Sequence, residues 1–286
     1  MIEAALRARG HYSLRLSARL AGDATRRVRD GRLAAVFEID GRLEPAAAWQ
    51  RADGTIVCRA ESDGGIEAMR FTLGLDDDHS EFLARFADDP LLGHATRRLR
   101  GLRPLRLGTV TQALLRAVCG QLIAASHARA IERKVIRAAT PEFGESGLHG
   151  PPTPETIARF SPAELRVYGL GIRRATALVR LCRALDLEGL RRVPTAAAAD
   201  RLERERGLGP WSAGVICLEG LGRYERGLIG DLGLVKLASA LRGRPVEGWE
   251  TAELLEPYGE WQGLASVYLL SGFHQGLIPL GARAAA

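Results

Sequence analysis

One carboxylate of the chain has a setting suited to electrostatic catalysis. Asp231 follows a glycine-rich connection and opens an apolar helical pattern over residues 230–237, which read GDLGLVKL. An aspartate at that position caps the first amides of a helix, which is a sufficient structural explanation by itself. Capping is compatible with catalysis, because the helix dipole and the amide hydrogen bonds favour an ionised carboxylate that could stabilise a developing positive charge.

A tight connection between two helical patterns lies upstream, at residues 206–213, which read RGLGPWSA. Glycine is needed where a backbone turns with positive φ and where it comes close to a partner, so Gly207 and Gly209 indicate a helical hairpin. Pro210 favours the start of the second helix, whose first amides could face a phosphate. A plain corner between two helices is the alternative. A dinucleotide-binding loop is disfavoured, because no strand precedes the glycines.

The elements that must position these residues differ between the two parts of the chain. In the first part, apolar runs at residues 33–39 and 55–58 are bounded by Asp-Gly pairs at residues 30–31, 40–41 and 53–54. Asp-Gly between such runs predicts hairpins with type I′ turns. Residues 65–73 are predicted as a further strand, and we place the domain boundary near residue 88.

The remaining residues, 89–286, have helical patterns almost throughout. Gly120-Gln121 separates two amphipathic helices, at residues 109–118 and 124–139, and Ser161 to Glu164 is a capping box with proline at the first helical position. Further helices are predicted at residues 195–207, 210–221, 231–241, 249–256 and 261–275. The fold class is therefore α+β, with a small antiparallel sheet domain (residues 1–88) followed by an all-helical domain (residues 89–286).

Charge and composition favour a globular protein with a polyanionic partner. The chain has 286 residues, 46% of them hydrophobic and 26% charged, which excludes wholesale disorder. Residues 1–88 contain 13 basic and 15 acidic side chains, and residues 89–286 contain 27 and 19. A basic second part favours nucleic acid. Five arginines with no acid among them are candidates for DNA contact or for a solvated face: Arg97, Arg98, Arg100, Arg103 and Arg106.

The sequence indicates neither a metal-ligand set nor a membrane segment. The four cysteines form no CxxC pair, which argues against a zinc site and against an iron–sulfur cluster. No apolar run approaches the roughly 18 residues that a membrane span needs, and no secretory signal is visible. We therefore expect reduced thiols, a cytoplasmic location and no membrane partner.

The hairpin, the glycine-rich connection and the Asp-x-x-Leu-x-Lys-Leu motif of residues 231–237 together resemble the helix-hairpin-helix DNA glycosylase superfamily. Within it, the chain resembles the 3-methyladenine DNA glycosylase II (AlkA-like) family over nearly its whole length. Residues 101–107 lead into residues 117–122 as in the family's stretch around its DNA-wedging leucine. Trp211 stands at the hairpin position where bifunctional relatives carry a Schiff-base lysine.

The resemblance implies a role for each of the candidate residues. Asp231 would be the catalytic carboxylate, and Leu122, beside Gln121, would fill the gap left by a flipped nucleotide. The hairpin would hold a DNA phosphate through Gly207, Gly209 and Ser212, with a monovalent metal ion on the backbone of Gly207 and Gly209. The substrate pocket would be lined by Trp211, Val215 and Leu270.

These roles imply a monofunctional glycosylase that acts on alkylated bases in damaged double-stranded DNA, as a monomer associated with the nucleoid and without a cofactor. Two departures from the family pattern concern the substrate range. Val215 and Leu270 align with positions where the family usually has aromatic side chains, and Gly230 stands where a proline often precedes the catalytic aspartate. We therefore expect a narrower range of lesions than a fully aromatic pocket would give.

Three other functions remain as alternatives. A bifunctional glycosylase/lyase for oxidised bases is disfavoured, because β-elimination through a Schiff base needs an amine where the hairpin has Trp211. A non-catalytic DNA-binding protein would keep the hairpin without needing Asp231. A transcriptional regulator fused to a sensor would need a ligand motif in the sheet domain, and none is visible there.

Overall fold

The N-terminal part of the protein is a five-stranded antiparallel sheet. The computed structural model describes residues 1–19 and 21–280. The strands run in the order β1-β5-β4-β3-β2 and comprise β1 (Ile2–Leu6), β2 (Arg26–Arg29), β3 (Arg32–Ile39), β4 (Arg42–Gln50) and β5 (Ile56–Ala60). The turns at residues 30–31 and 40–41 have positive φ at both centres, with Asp30 and Asp40 each at 50°. This confirms two of the three predicted type I′ hairpins. The third prediction is wrong, because at residues 53–54 only Gly54 has positive φ and the connection from Gln50 to Ile56 is longer than two residues.

The strand predicted over residues 65–73 is wrong, because this segment belongs to helix α2 (Asp63–Leu73). The side-chain oxygen of Ser62 caps its start by accepting from the Gly65 amide at 3.2 Å, and Gly74 ends it with φ 61°. Its buried side chains Ile66, Met69 and Leu73 recur at helical spacing and pack in the core of the sheet domain. The helix therefore covers the inner face of the sheet.

Apart from the short α1 (Leu14–Ser17) and from α2, the helices form the remainder of the molecule. They are α3 (Ser80–Arg85), α4 (Gly93–Arg98), α5 (Val110–Gly120), α6 (Ala125–Ala139), α7 (Pro154–Ala158), α8 (Pro162–Val167), α9 (Ile172–Ala184), α10 (Thr195–Glu203), α11 (Pro210–Val215), α12 (Leu232–Arg242), α13 (Thr251–Leu255) and α14 (Gln262–His274). A π-helical segment, Ile216–Leu221, continues α11. Short 3₁₀ segments lie at Glu188–Arg192, Gly248–Glu250 and Glu256–Trp261. The sheet followed by helices confirms the predicted α+β class.

Two hydrophobic cores correspond to these two parts. The sheet core is built mainly from residues 14–75, and the helical core extends to Ile278. Phe82 and Phe86 already pack in the helical core although they precede residue 88. The division into domains at residue 88 stays a prediction.

A buried ion network around Arg116 on α5 joins the two parts. Its guanidinium contacts Asp23 beside the sheet at 2.7 Å, Glu132 on α6 at 2.9 Å and Glu219 on the π-helical segment. Asp23 also pairs with Arg26 at 3.1 Å. Buried charges are tolerated only when they are paired in this way, so the network fixes how the sheet sits on the helices.

The run of five arginines does not form one surface. Arg103 is fully buried and donates to the carbonyls of Gly74, Arg9 and His11, and the buried Arg106 pairs with Asp77 at 2.6 Å. These two are structural, which corrects their assignment as candidate DNA contacts. The other three, at positions 97, 98 and 100, are exposed. In the described residues, no helix is both long and apolar enough to cross a membrane.

Candidate active site

Asp231 is the N-cap of α12, as the sequence predicted. Its Oδ1 accepts from the amides of Gly233 at 2.8 Å and Leu234 at 3.4 Å. The side chain is half-buried, and no arginine or lysine forms an ion pair with it among the described residues. One carboxylate oxygen is therefore fixed by the helix, and the charge is not neutralised by a cation.

The second oxygen of Asp231 faces Trp211. The indole Nε1–H donates to Oδ2 at 3.0 Å, which joins the hairpin to the start of α12. Room for the ring comes from Gly120 at the end of α5, where a Cβ would stand 2.6 Å from the edge of the indole. A side chain at this position would push Trp211 away from the carboxylate. Gly120 was predicted only as a helix break, so the sequence reasoning missed this second role.

The structure explains why glycine precedes Asp231. Gly230 has φ 87°, a conformation that proline cannot adopt. Its amide donates to the hydroxyl of Thr251 at 2.7 Å, and Thr251 is fully buried. Proline would remove that donor as well. The turn before Asp231 is thus fixed from α13.

The helical hairpin lies where it was predicted, between α10 and α11. Gly207 has φ 97°, and a Cβ there would come within 3.0 Å of Ala177. Gly209 is extended, at φ −133° and ψ −176°, and a Cβ there would meet nothing within 4 Å. The fold therefore needs glycine at 207, whereas at 209 the open space leaves the backbone accessible. Ser212 is only 2% exposed, so its hydroxyl is not available at the surface.

The segment after α5 presents Leu122 to solvent. This side chain is 90% exposed, more than any other large hydrophobic in the described part of the chain, and its φ is 57°. A left-handed non-glycine residue costs about 1–2 kcal/mol. Gln121 holds the segment by donating to the Gly207 carbonyl at 2.8 Å and the Ser212 hydroxyl at 3.2 Å. Arg174 donates to the Gln121 carbonyl at 3.1 Å, a contact that no sequence pattern indicated.

The side chains of Gln121 and Ser212 are thus hydrogen-bonded to each other, and Gln121 also bonds to the hairpin turn at Gly207. Their side chains connect the Leu122 segment to the hairpin, so that both would approach a duplex as one unit. Leu122 on this support has an arrangement that a packing role does not explain, because an exposed apolar side chain in a strained conformation gains nothing from the core.

The side chains aligned with family aromatics lie in different surroundings. Leu270 on α14 packs against Gly233, where a Cβ would stand 2.5 Å from the leucine, so it adjoins the Asp231 cap. Val215 is 5% exposed in the helical core. Tyr224 and Tyr268 do not replace the missing aromatics, because their hydroxyls bond to Asp77 and to the carbonyls of residues 99 and 102.

The carbonyls of the two glycines predicted to hold a metal ion already accept hydrogen bonds. The Gly207 carbonyl accepts from Gln121, and the Gly209 carbonyl accepts from the Ala213 amide at 3.0 Å. Because each carbonyl oxygen has a second lone pair, the monovalent ion stays a prediction, and no step is assigned to it. The described residues contain no group of three or more histidine, cysteine or acidic side chains able to hold a metal.

Known proteins resemble the chain in sequence as well as in fold. No protein-family model matches it. It is 29% identical over 209 residues to the DNA-3-methyladenine glycosylase of Bacillus subtilis, which covers 68% of this chain and 67% of that protein. It is 28% identical over 174 residues to DNA-3-methyladenine glycosylase 2 of Escherichia coli, which covers 53% and 59%. These relatives support the resemblance of the chain to the AlkA-like family of helix-hairpin-helix DNA glycosylases.

Solved structures extend the likeness over both parts of the chain. A 3-methyladenine DNA-glycosylase from Archaeoglobus fulgidus superposes with a TM-score of 0.83 and 21% identity, covering 96% of this chain and 98% of that one. An 8-oxoguanine glycosylase/lyase from Clostridium acetobutylicum, solved with double-stranded DNA, has a TM-score of 0.78 and 17% identity, covering 97% and 99%. At these identities the structures establish the fold, and the reaction must be argued from the site.

Proposed function

We propose that the protein is a monofunctional DNA glycosylase that hydrolytically removes alkylated bases, of the 3-methyladenine and 7-methylguanine type, from duplex DNA in base excision repair. The observation that carries the proposal is the setting of Asp231. It is a half-buried carboxylate with one oxygen on a helix N-terminus and the other on an indole N–H, and it forms no ion pair within residues 1–19 and 21–280.

This setting suits a substrate that is already activated. Alkylation at N3 or N7 gives a purine a positive charge, so its glycosidic bond can break without protonation of the leaving base. One carboxylate then suffices to stabilise the oxocarbenium-like sugar and to orient the attacking water, whereas typical glycosidases use two. Because the cap and Trp211 fix Asp231 in advance, little reorganisation accompanies the development of charge.

The reaction needs the nucleotide outside the stack, and the exposed Leu122 supports that step. Extrusion of a nucleotide costs a few kcal/mol, less for a damaged base, and an apolar side chain wedged into the gap offsets part of it. Gln121 and Arg174 hold Leu122 in position before DNA arrives. The accessible backbone at Gly209 would bind a phosphate beside it.

The lyase alternative lacks a nucleophile at the hairpin. The sequence contains two lysines, Lys134 on α6 and Lys236 on α12, and both are exposed. Trp211 stands in place of the amine and bonds to Asp231 instead. We therefore propose that the product is an intact abasic strand. A cytoplasmic, nucleoid-associated monomer remains part of the proposal.

The test is base release from methylated duplex DNA, with each released base identified by chromatography. The wild-type protein should release 3-methyladenine and 7-methylguanine, and the strand should break only after alkali treatment. Borohydride should trap no covalent adduct. A trapped adduct at Lys134 or Lys236 would show a lyase, and DNA binding without any base release would indicate the non-catalytic alternative.

A further inference from the structure

The connection between α12 and α13 packs against the turn that carries Asp231. A Cβ on Gly248 would stand 3.4 Å from the Gly230 Cα, so the two glycine backbones are in close contact. Thr251 reinforces this contact, since its hydroxyl accepts from the Gly230 amide and donates to the Gly248 carbonyl, both at 2.7 Å. Residues 248–251 are therefore attached directly to the backbone immediately before the carboxylate.

This attachment places a tryptophan next to the turn that carries Asp231. Trp249 follows Gly248 and is 67% exposed. Its neighbour Glu250 is buried and is held by Arg242 at 2.6 Å and Arg244 at 2.5 Å, which fixes the short helical turn that carries the indole. Leu232, next to Asp231 in the chain, is also exposed, at 45%. Two exposed apolar side chains are thus carried by the backbone segments that meet at the turn before Asp231.

No packing role accounts for the exposed indole. Tryptophan is highly buried on average, and its ring is among the most effective surfaces for stacking on nucleic-acid bases and for holding a cation. The half-buried Trp211 is already bonded to Asp231, while Val215 and Leu270 offer no aromatic face. Trp249 therefore offers an exposed aromatic surface next to the turn that carries Asp231.

We propose that Trp249 is a specificity-determining residue whose indole stacks on the extruded alkylated base at the mouth of the site, beside Leu232 and Asp231. The inference rests on the proposed glycosylase function. A positively charged base gains more from the indole face than a neutral one, because the electrostatic attraction of the ring adds to stacking. Trp249 thereby supplies the selection for cationic lesions that the aliphatic pocket positions do not.

The first test measures binding, in the Asp231→Asn background so that the base stays attached. Three duplexes are compared: one with a single 7-methylguanine, one with an abasic-site analogue and one undamaged. Trp249→Ala and Trp249→Leu should each weaken binding to the 7-methylguanine duplex by about 10-fold, on the scale of one lost stacking partner. Binding to the other two duplexes should change less than twofold, and Trp249→Phe should stay within threefold on all three.

Trp49→Ala is the matched control, because this tryptophan lies in the sheet beside Arg32 and Arg59 and should affect none of the duplexes selectively. Equal losses on all three duplexes would place Trp249 on the DNA backbone and overturn the inference, as would no loss with either Trp249→Ala or Trp249→Leu.

The second test separates this inference from the proposed function. With Asp231 intact, Trp249→Leu should lower the single-turnover release of 7-methylguanine by about 10-fold and that of hypoxanthine by less. If wild type releases 7-methylguanine and Trp249→Leu matches it, only the role of Trp249 fails. If wild type releases no methylated base, the proposed function itself fails.

Discussion

The carboxylates around Arg116 and the carboxylate of Asp231 are held in opposite ways. Asp23 and Glu132 are 0% and 1% exposed at their side chains, and each lies on a guanidinium. Asp231 is half-buried and is held by two amides and an indole N–H, with no cation in contact in the described chain. The charge of a carboxylate that is paired with a guanidinium is already neutralised. A carboxylate held only by neutral donors can instead stabilise a positive charge that develops on a substrate. The first group joins the sheet to the helices, and the second is available for chemistry.

The largest expected effect on stability comes from breaking the buried group. Glu132→Gln removes one of the three carboxylates on Arg116 and leaves Asp23 and Glu219, so it should cost about 1–3 kcal/mol of unfolding free energy, on the scale of one buried hydrogen-bonding partner lost. Chemical denaturation measures this loss. Glu67→Gln, in the exposed pair with Arg70, is the control and should cost less than about 1 kcal/mol. Comparable losses in both variants would contradict the distinction between the buried ion network and an exposed ion pair.

The aliphatic side chains at the two predicted pocket positions should affect which lesions the protein removes. Each aromatic face missing at Val215 and Leu270 removes about 1–3 kcal/mol of base stacking. A cationic base tolerates the loss because its glycosidic bond is already weak, whereas a neutral base needs both binding and help for the leaving group. Single-turnover rates on defined duplexes should show 3-methyladenine and 7-methylguanine removed well ahead of hypoxanthine and ethenoadenine. Hypoxanthine removed as fast as 3-methyladenine would contradict the argument.

A smaller effect is expected at the Leu122 segment. Leu122→Ala should weaken binding to an abasic-site analogue by about 10-fold, on the scale of one lost apolar side chain of 1–2 kcal/mol. Undamaged duplex should be affected less, because the wedge acts only in an opened stack while phosphate contacts serve both DNAs. Fluorescence anisotropy on the two duplexes compares them, and equal weakening on both would assign Leu122 no role in the gap.

The smallest expected effect is the loss of stability at low pH. Burial alone would raise the pKa of Asp23 and of Glu219, but arginines (Arg26 and Arg116 for Asp23, Arg116 and Arg129 first for Glu219) outweigh it and hold both pKa values below normal. Stabilisation from a depressed pKa is present above the ordinary values of 3.8 and 4.5 and is lost as pH falls through the lower folded values. Unfolding free energy should therefore fall steadily below about pH 4.5. A flat profile down to pH 3 would show that the network adds no net stability.

Local features of the fold and site could be predicted from the sequence because their signals are local. Asp-Gly favours a type I′ turn, and an aspartate before an apolar helical pattern favours an N-cap. The helix over residues 65–73 was not predicted, because glycines at positions 64 and 65 disfavour a helix, although the spacing of Ile66, Met69 and Leu73 is helical. No strand range was predicted for β1, β2 or β4, since β2 has three arginines in four residues and β4 contains a proline and three consecutive alanines.

Contacts between distant residues could not be predicted. Arg106 is buried because Asp77 meets it across 29 residues, and nothing beside Arg106 in the sequence indicates this pairing. Likewise, the bond from Trp211 to Asp231 depends on the room left by Gly120, which lies on another helix. Sequence patterns predicted the individual residues, whereas the packing of distant elements determines which of them come into contact.

Release of 7-methylguanine by Asp231→Asn, measured in a single turnover beside wild type and Glu132→Gln at a temperature where all three are folded, tests the central claim most directly. Asparagine caps a helix about as well as aspartate, so the variant should remain folded. The account predicts a rate at least about 100-fold below wild type for Asp231→Asn, with DNA affinity unchanged or higher, and a rate near wild type for Glu132→Gln. Activity of Asp231→Asn within about threefold of wild type would contradict the assignment of this carboxylate to the chemistry.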